Sequence, residues 1–181
     1  DSFDIKTDEQ INNFLDILEY KKTSGKEVIM LIGNHDYHYF AAIGDTGTSG
    51  YQRVGKFQIE PIIEANKEHL QMCYQMDEFL FTHAGVSPEF MDGIYGVDGW
   101  NPDTIADDLN ELFLHKPMAF EFNGFDGYGD DTCQTPIWIR PKALMNVNYN
   151  TLRTQVIQIV GHTQVKKLDL DGSQKSAGGR Y

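Results

Sequence analysis

Asn34, His35 and Asp36 follow directly on the apolar run Val28 to Ile32 and a single glycine, Gly33. A short, bounded run with β-branched residues reads as a buried strand, and the glycine as the point where the backbone leaves the sheet. Side chains able to hold a metal or move a proton therefore stand at the carboxyl end of a strand, where open α/β sheets gather their ligands. The construction recurs in Phe79-Leu80-Phe81-Thr82-His83-Ala84-Gly85 and in Val156-Ile157-Gln158-Ile159-Val160-Gly161-His162-Thr163. Three strands are thereby expected to deliver Asn34, His35, His83 and His162 to one edge of one sheet. Imidazole nitrogens with an amide oxygen form a natural donor set for a divalent ion, so Asn34, His83 and His162 are candidate ligands for Mn, Fe or Zn. Three protein groups could hold one ion. A pair would need more, including a bridging carboxylate that the chain does not obviously supply.

The elements that position these residues belong to a chain of 181 residues, the size of one domain or a large part of one. Its formal charge of −12 argues against general nucleic-acid or anionic-membrane binding, which rest on clustered Lys and Arg. An anionic substrate stays open, because a bound divalent cation can reverse the local potential of an acidic site. Cys73 and Cys133 lie far apart without CxxC spacing, so neither a disulfide framework nor a thiolate zinc site is expected. Reduced thiols, no apolar run of membrane-spanning length and no signal-peptide pattern lead to the expectation of a cytoplasmic protein. The chain opens without methionine at Asp1 and closes at Tyr181, just past what reads as a hairpin turn, so elements are expected to be missing at both ends.

In chain order, Thr7 and Gln10 read as a capping box, with Ile11, Phe14, Leu15 and Leu18 at helical spacing, Lys21-Lys22 near the end and Gly25 as the stop. Gly44 to Gly55 reads as a surface loop. Ile59, Ile62, Ile63 and Leu70 fit a second helix, which tolerates Pro61 only in its first turn, and His69 in it reads as a surface or packing histidine. His38 reads as part of a loop rather than a ligand. Ala84 to Pro88 are small residues that allow close backbone approach and then stop the chain. Asn101-Pro102 starts a helix whose face is Ile105, Leu109, Leu112 and Phe113, ending by Pro117. Residues 118–136, rich in Phe, Gly, Asp and Tyr without period, read as a lid or insertion loop. Arg140, bracketed by Ile139 and Pro141, calls for an anionic partner, either a ligand or a structural Asp126 or Asp130. Strand, helix and strand in alternation favour an α/β sandwich.

Gly33-Asn34-His35-Asp36, Thr82-His83-Ala84-Gly85-Val86-Ser87-Pro88 and Gly161-His162-Thr163 resemble, in order and separation, the GNH(D/E), HAG(V/L)SP and GHT motifs of calcineurin-like metallophosphoesterases. The branch they most resemble holds serine/threonine protein phosphatases and dinucleoside-tetraphosphate hydrolases, in which an arginine like that of Trp138-Ile139-Arg140-Pro141 falls between the last two motifs. The resemblance implies a two-sheet β-sandwich core flanked by helices, incomplete here and spanning 1–181 as a single domain. It implies two divalent ions (Mn, Fe, Zn or Ni) in the full-length protein, with Asn34, His83 and His162 among their ligands. It also implies His35 as general acid and Arg140 as the phosphoryl-binding group. The family's opening DxH and GDxxD(R) motifs are not present in full. Asp1 aligns with the last aspartate of GDxxD, the carboxylate that orients the acid, and Ser2 replaces the arginine.

The activity so implied is hydrolysis of a phosphomonoester, on a phosphoprotein or a small phosphate ester, by metal-activated water. No serine or cysteine has a convincing activating base, which disfavours a covalent intermediate. Two alternatives stand beside it: hydrolysis of a nucleotide or dinucleoside polyphosphate, with the aromatics of Phe120 to Tyr128 stacking a base, and a non-catalytic binding module with a degraded site. The fragment itself is expected to hold at most one tight metal and to hydrolyse feebly or not at all.

Overall fold

The computed structural model describes residues 2–44, 51–123, 129–146 and 156–164, with side chains described over 7–44, 51–123, 129–145 and 156–164. Asp1, the centre of the 44–55 loop, positions 124–128 of the aromatic segment and the expected C-terminal hairpin lie outside the described residues. The structure is mixed α/β and divides into two compact units, residues 1–30 with 35–71 and residues 31–34 with 72–181.

In the first unit, α1 (Ser2–Thr23) carries Leu18 on its buried face, and Lys21 and Lys22 in its last turn suit the negative end of the helix dipole. Gly25, at φ +65°, then takes the left-handed conformation that ends the helix. The capping box is corrected: α1 starts at Ser2, so Thr7 is an interior helical residue whose buried hydroxyl donates to Gln52 Oε1 at 3.1 Å. A second helix forms at α3 (Lys56–Ala65), with Pro61 in its interior rather than its first turn. The interrupted turn lies on an exposed face that includes Phe57 and Pro61, where water can serve the carbonyl that Pro61 leaves without a donor. Leu70 is not in this helix. It belongs to β2 (Leu70–Gln71), and His69 ends a 3-10 turn beside Glu68 at 3.6 Å, a surface packing role. His38 is fully buried edge-on against Tyr37 and Tyr51, a core histidine of this unit.

The second unit is built on a three-stranded sheet of order β3-β4-β5, comprising β3 (Cys73–Met76), β4 (Phe79–Thr82) and β5 (Ile157–Val160). β3 and β4 form an antiparallel hairpin through Asp77, which accepts φ +52°, and β4 and β5 run parallel. Only Met30–Leu31 of the expected first strand is laddered, as β1, and its partner is β2. The expectation of three neighbouring strands therefore holds for β4 and β5 and fails for β1. α5 (Ile105–His115) buries Ile105, Leu109 and Leu112 as expected, while α4 (Pro88–Tyr95) was not foreseen: Ser87 caps it and Pro88 opens it. The Ser87 hydroxyl accepts the Phe90 N–H at 3.0 Å and donates to the Thr132 carbonyl.

Three carboxamides tie chain segments together. Asn110 on α5 accepts the N–H groups of Met72 and Cys73 and donates to the Cys73 carbonyl, acting as a strand partner at the start of β3. Gln158 on β5 grips both sides of residue 86, accepting the Val86 N–H at 2.7 Å and donating to the Val86 carbonyl at 2.8 Å. Gln134, fully buried, accepts from the N–H groups of Asn123 and Thr135. Ala84, Ile139, Ala143 and Leu144 form a buried cluster, the last two from α6 (Pro141–Asn146). Gly85 fits against it because a Cβ there would come within 2.4 Å of Leu144 Cδ1, and its φ of +126° is glycine territory. Neither cysteine is in a disulfide, and burial raises the Cys73 thiol well above its ordinary pKa. No helix among the described residues is long and apolar enough to cross a membrane.

Candidate metal centre

Parallel pairing of β4 with β5 puts both carboxyl ends at the same sheet edge. The register pairs Thr82 with Val160, and the Gly161 N–H donates to the His83 carbonyl at 2.9 Å, so His83 and His162 leave the sheet side by side. Asn34, 3% exposed, opens the single turn of α2 (Asn34–Tyr37) directly after buried Ile32 and Gly33. These three side chains meet. His83 Nε2 lies 2.8 Å from Asn34 Oδ1 and 3.1 Å from His162 Nδ1, with the two imidazoles 5.0 Å apart at 66°.

His83 Nε2 faces the Asn34 carboxamide oxygen and His162 Nδ1 together, and which ring nitrogen donates depends on the tautomers. With both of these ring nitrogens deprotonated, the three atoms present lone pairs to one cation. The spacing also fits, since two donors each about 2.1 Å from one ion at right angles stand about 3 Å apart. The residues present thus suit one divalent ion. Among the described residues no group of three or more His, Cys, Asp or Glu side chains could hold a metal, so the cluster consists of two imidazoles and one carboxamide.

His162 sits at φ +62°, outside the regions a histidine prefers. Trp138, almost fully buried, meets the His162 ring nearly at right angles at 6.3 Å, and Phe122 meets Trp138 in the same manner at 5.4 Å. Trp138 thus packs directly on the His162 ring, with Phe122 behind it. Sequence reading set Trp138 aside as a neighbour of Arg140 and missed its contact with His162; an apolar residue two positions from a charged one carries no spacing signal of such a role.

The other predicted residues stand as follows. His35 is exposed on the first turn of α2, in the first unit, where with Asp36 it borders a cavity. Arg140 lies in the second unit at the start of α6, partly exposed; its N–H donates to the Gly129 carbonyl at 3.1 Å and its carbonyl accepts from Leu144 at 3.1 Å. Asp130, one candidate ion-pair partner for it, pairs with Lys142 at 3.3 Å. Asp126 and Asp1 are outside the described residues.

Over 86 residues the chain is 34% identical to the symmetrical bis(5'-nucleosyl)-tetraphosphatase of Shigella dysenteriae serotype 1 (strain Sd197), a stretch covering 42% of this chain and 29% of that protein. The chain thus spans less than a third of the length of the curated relative it matches. No protein-family model matches it, and no solved structure does.

Proposed function

We propose that the chain is part of a metal-dependent phosphoesterase of the calcineurin-like kind, acting on a phosphomonoester in the cytoplasm. The observation that carries the reading is the meeting of Asn34 Oδ1, His83 Nε2 and His162 Nδ1 at 2.8 and 3.1 Å. When bound, divalent cations (Mn, Fe, Zn or Ni) supply Lewis acidity toward the phosphoryl oxygens and make water a nucleophile near neutral pH. Asn34, His83 and His162 would hold one such ion, and a second would need ligands from beyond these three. Arg140 meets the charge that grows on the equatorial oxygens, for which its planar fork is suited. His35 gives its proton to the leaving oxygen, and Asp1 orients it. A second reading, hydrolysis of a nucleotide or dinucleoside polyphosphate, is favoured by the likeness to a bis(5'-nucleosyl)-tetraphosphatase.

Elemental analysis of the purified protein, paired with hydrolysis of p-nitrophenyl phosphate, tests the proposal. About one equivalent of retained divalent metal is expected, lost together with whatever activity the chain has in His83→Asn and in His162→Asn. A protein that refuses metal at micromolar concentration while properly folded is instead a binding module with a degraded site.

A further inference from the structure

We propose that the cavity between α1 and α3 is a leaving-group subsite for a nucleobase, with Phe14 and the Gln10–Gln52 carboxamide pair as its specificity-determining residues. The inference rests on the phosphoesterase reading above, because it takes His35 as the acid. Whatever alcohol His35 protonates has its carbon skeleton beside that imidazole, and His35 borders this cavity of about 240 Å³. A void of about 150 Å³ accommodates a benzene ring. The larger one here suits a fused bicyclic ring and is too small for a folded peptide segment.

The lining selects among flat ligands. Phe14, Ile59 and Ile62 present half-buried apolar surface, which a planar ring would cover. Opposite in character are two linked amides: Gln52 Nε2 donates to Gln10 Oε1 at 2.9 Å, while Gln52 Oε1 accepts from Thr7 Oγ1 at 3.1 Å. The Gln52 backbone is fixed as well, its N–H donating to the Tyr39 hydroxyl at 3.0 Å. An amide held at both ends is preorganised, and each of the two carboxamides keeps N–H capacity beyond these bonds. A ligand that uses them needs ring nitrogen or carbonyl acceptors at the edge of a flat apolar body. A nucleobase has such acceptors on such a body; an alkyl chain lacks the acceptors and a phosphoserine backbone lacks the flat apolar body. Asp36 at the rim, with no Lys or Arg among the described lining residues, disfavours a phosphate in the same space.

The test is titration of the purified protein with adenosine, the alcohol released from an adenosine 5'-phosphate, against ribose and benzyl alcohol, followed through the His35 and Phe14 ring resonances by NMR. Adenosine is expected to bind at least tenfold tighter than either control and to move both rings. Gln10→Ala, an exposed substitution on α1 that leaves the fold intact, should weaken adenosine about 2- to 10-fold and leave benzyl alcohol unchanged, since it removes hydrogen bonding alone. Phe14→Ala should weaken adenosine about 5- to 100-fold through lost stacking. Adenosine binding no tighter than ribose, or indifferent to Gln10→Ala, overturns the subsite; if p-nitrophenyl phosphate is then still hydrolysed with metal retained, the phosphoesterase reading stands without it. Adenosine bound as expected by a protein that hydrolyses no phosphate ester overturns the leaving-group role at its foundation.

Discussion

Replacing single glycines by alanine in the second unit should give results of opposite sign at positions that look alike in sequence. At Gly129, φ is +81° and an added Cβ would lie 2.6 Å from the Trp138 carbonyl oxygen, a backbone atom that no rotamer change can move. The left-handed conformation alone costs a residue with a Cβ about 1–2 kcal/mol, and relieving the clash by shifting packed backbone adds about 1–3 kcal/mol. Gly129→Ala should therefore destabilise by about 2–5 kcal/mol, a large part of a typical total of about 5–15 kcal/mol. Gly85→Ala should fall in the same range, because its Cβ meets Leu144 inside the buried cluster; there the clash is with a side chain, and Leu144→Ala in the same molecule should recover part of the loss. Gly93, in the interior of α4 with nothing near its missing Cβ, is the control: Gly93→Ala should stabilise by about 0.5–1 kcal/mol. Urea unfolding followed by the fluorescence of Trp100 and Trp138 reads all three. With a slope of about 2 kcal/mol per M, Gly129→Ala should lower the midpoint by about 1–2.5 M. A Gly129→Ala midpoint equal to that of the parent, or a Gly93→Ala loss matching the others, would refute the reasoning. Since the Trp138 carbonyl is the atom struck and the Trp138 ring meets His162, metal affinity should fall with Gly129→Ala and hold with Gly93→Ala.

Other outcomes follow from single contacts. His35→Asn in the full-length protein should lower turnover of an alkyl phosphate by about 10²–10⁴ with metal content unchanged, and lower turnover of a nitrophenyl phosphate much less, because an acidic leaving group needs little protonation; equal losses on both remove His35 from the acid role. Gln158→Leu should destabilise by about 2–5 kcal/mol in urea, since it strips both partners from the buried Val86 peptide. The Glu64 carboxyl is held below its ordinary pKa, chiefly by the Ala41 N–H at 2.8 Å and then by Lys67. A depressed carboxyl stabilises the fold above its unfolded pKa and ceases to do so as pH falls through the folded value. The stability gap between parent and Glu64→Gln, measured by urea unfolding across pH, should thus close on acidification and stay constant toward neutrality.

The meeting of Asn34, His83 and His162 was legible because each of them ends an apolar run, and runs that stop at a histidine or at Gly-Asn are visible without a structure. α5 was legible for a related reason, its cap, proline and apolar face all agreeing. What escaped was of two kinds. Some signals are shared by opposite structures: Ser87-Pro88 was read as a stop, yet the same pair is the start of α4, because a buried Ser hydroxyl and a proline at the first helical position are also what a helix N-terminus wants. Thr7 failed in the converse way, since a capping box counts only where N–H groups are unpaired, and residues before it were already helical. Others have no local pattern at all. Asn110, Gln134 and Gln158 each satisfy backbone groups distant in sequence, and Cys73-Tyr74-Gln75-Met76 alternates too weakly to announce β3, which exists because β4 and Asn110 complete its hydrogen bonding.

Strand periodicity alone would keep the two histidines apart. In the parallel register Thr82 stands opposite Val160, so His83 stands opposite Gly161 and the next pair along is Ala84 with His162. Side chains alternate faces along a strand, which in a continued ladder sends His83 and His162 to opposite sides of the sheet. The turn to φ +62° at His162 breaks that alternation and brings its Nδ1 to 3.1 Å from His83 Nε2. The strain is thus what makes a two-histidine site possible at neighbouring strand ends, and it should be measurable apart from any metal. His162→Gly and His162→Ala both delete the imidazole, but only glycine takes the left-handed conformation freely. His162→Gly should therefore be more stable than His162→Ala by about 1–2 kcal/mol in urea unfolding of metal-free protein, the reverse of the ranking in a regular strand, where Ala is preferred to Gly. A ranking with Ala above Gly would mean that residue 162 relaxes into ordinary strand geometry once its ring is gone, and that the backbone turn is made by the imidazole's contacts rather than by the chain around it.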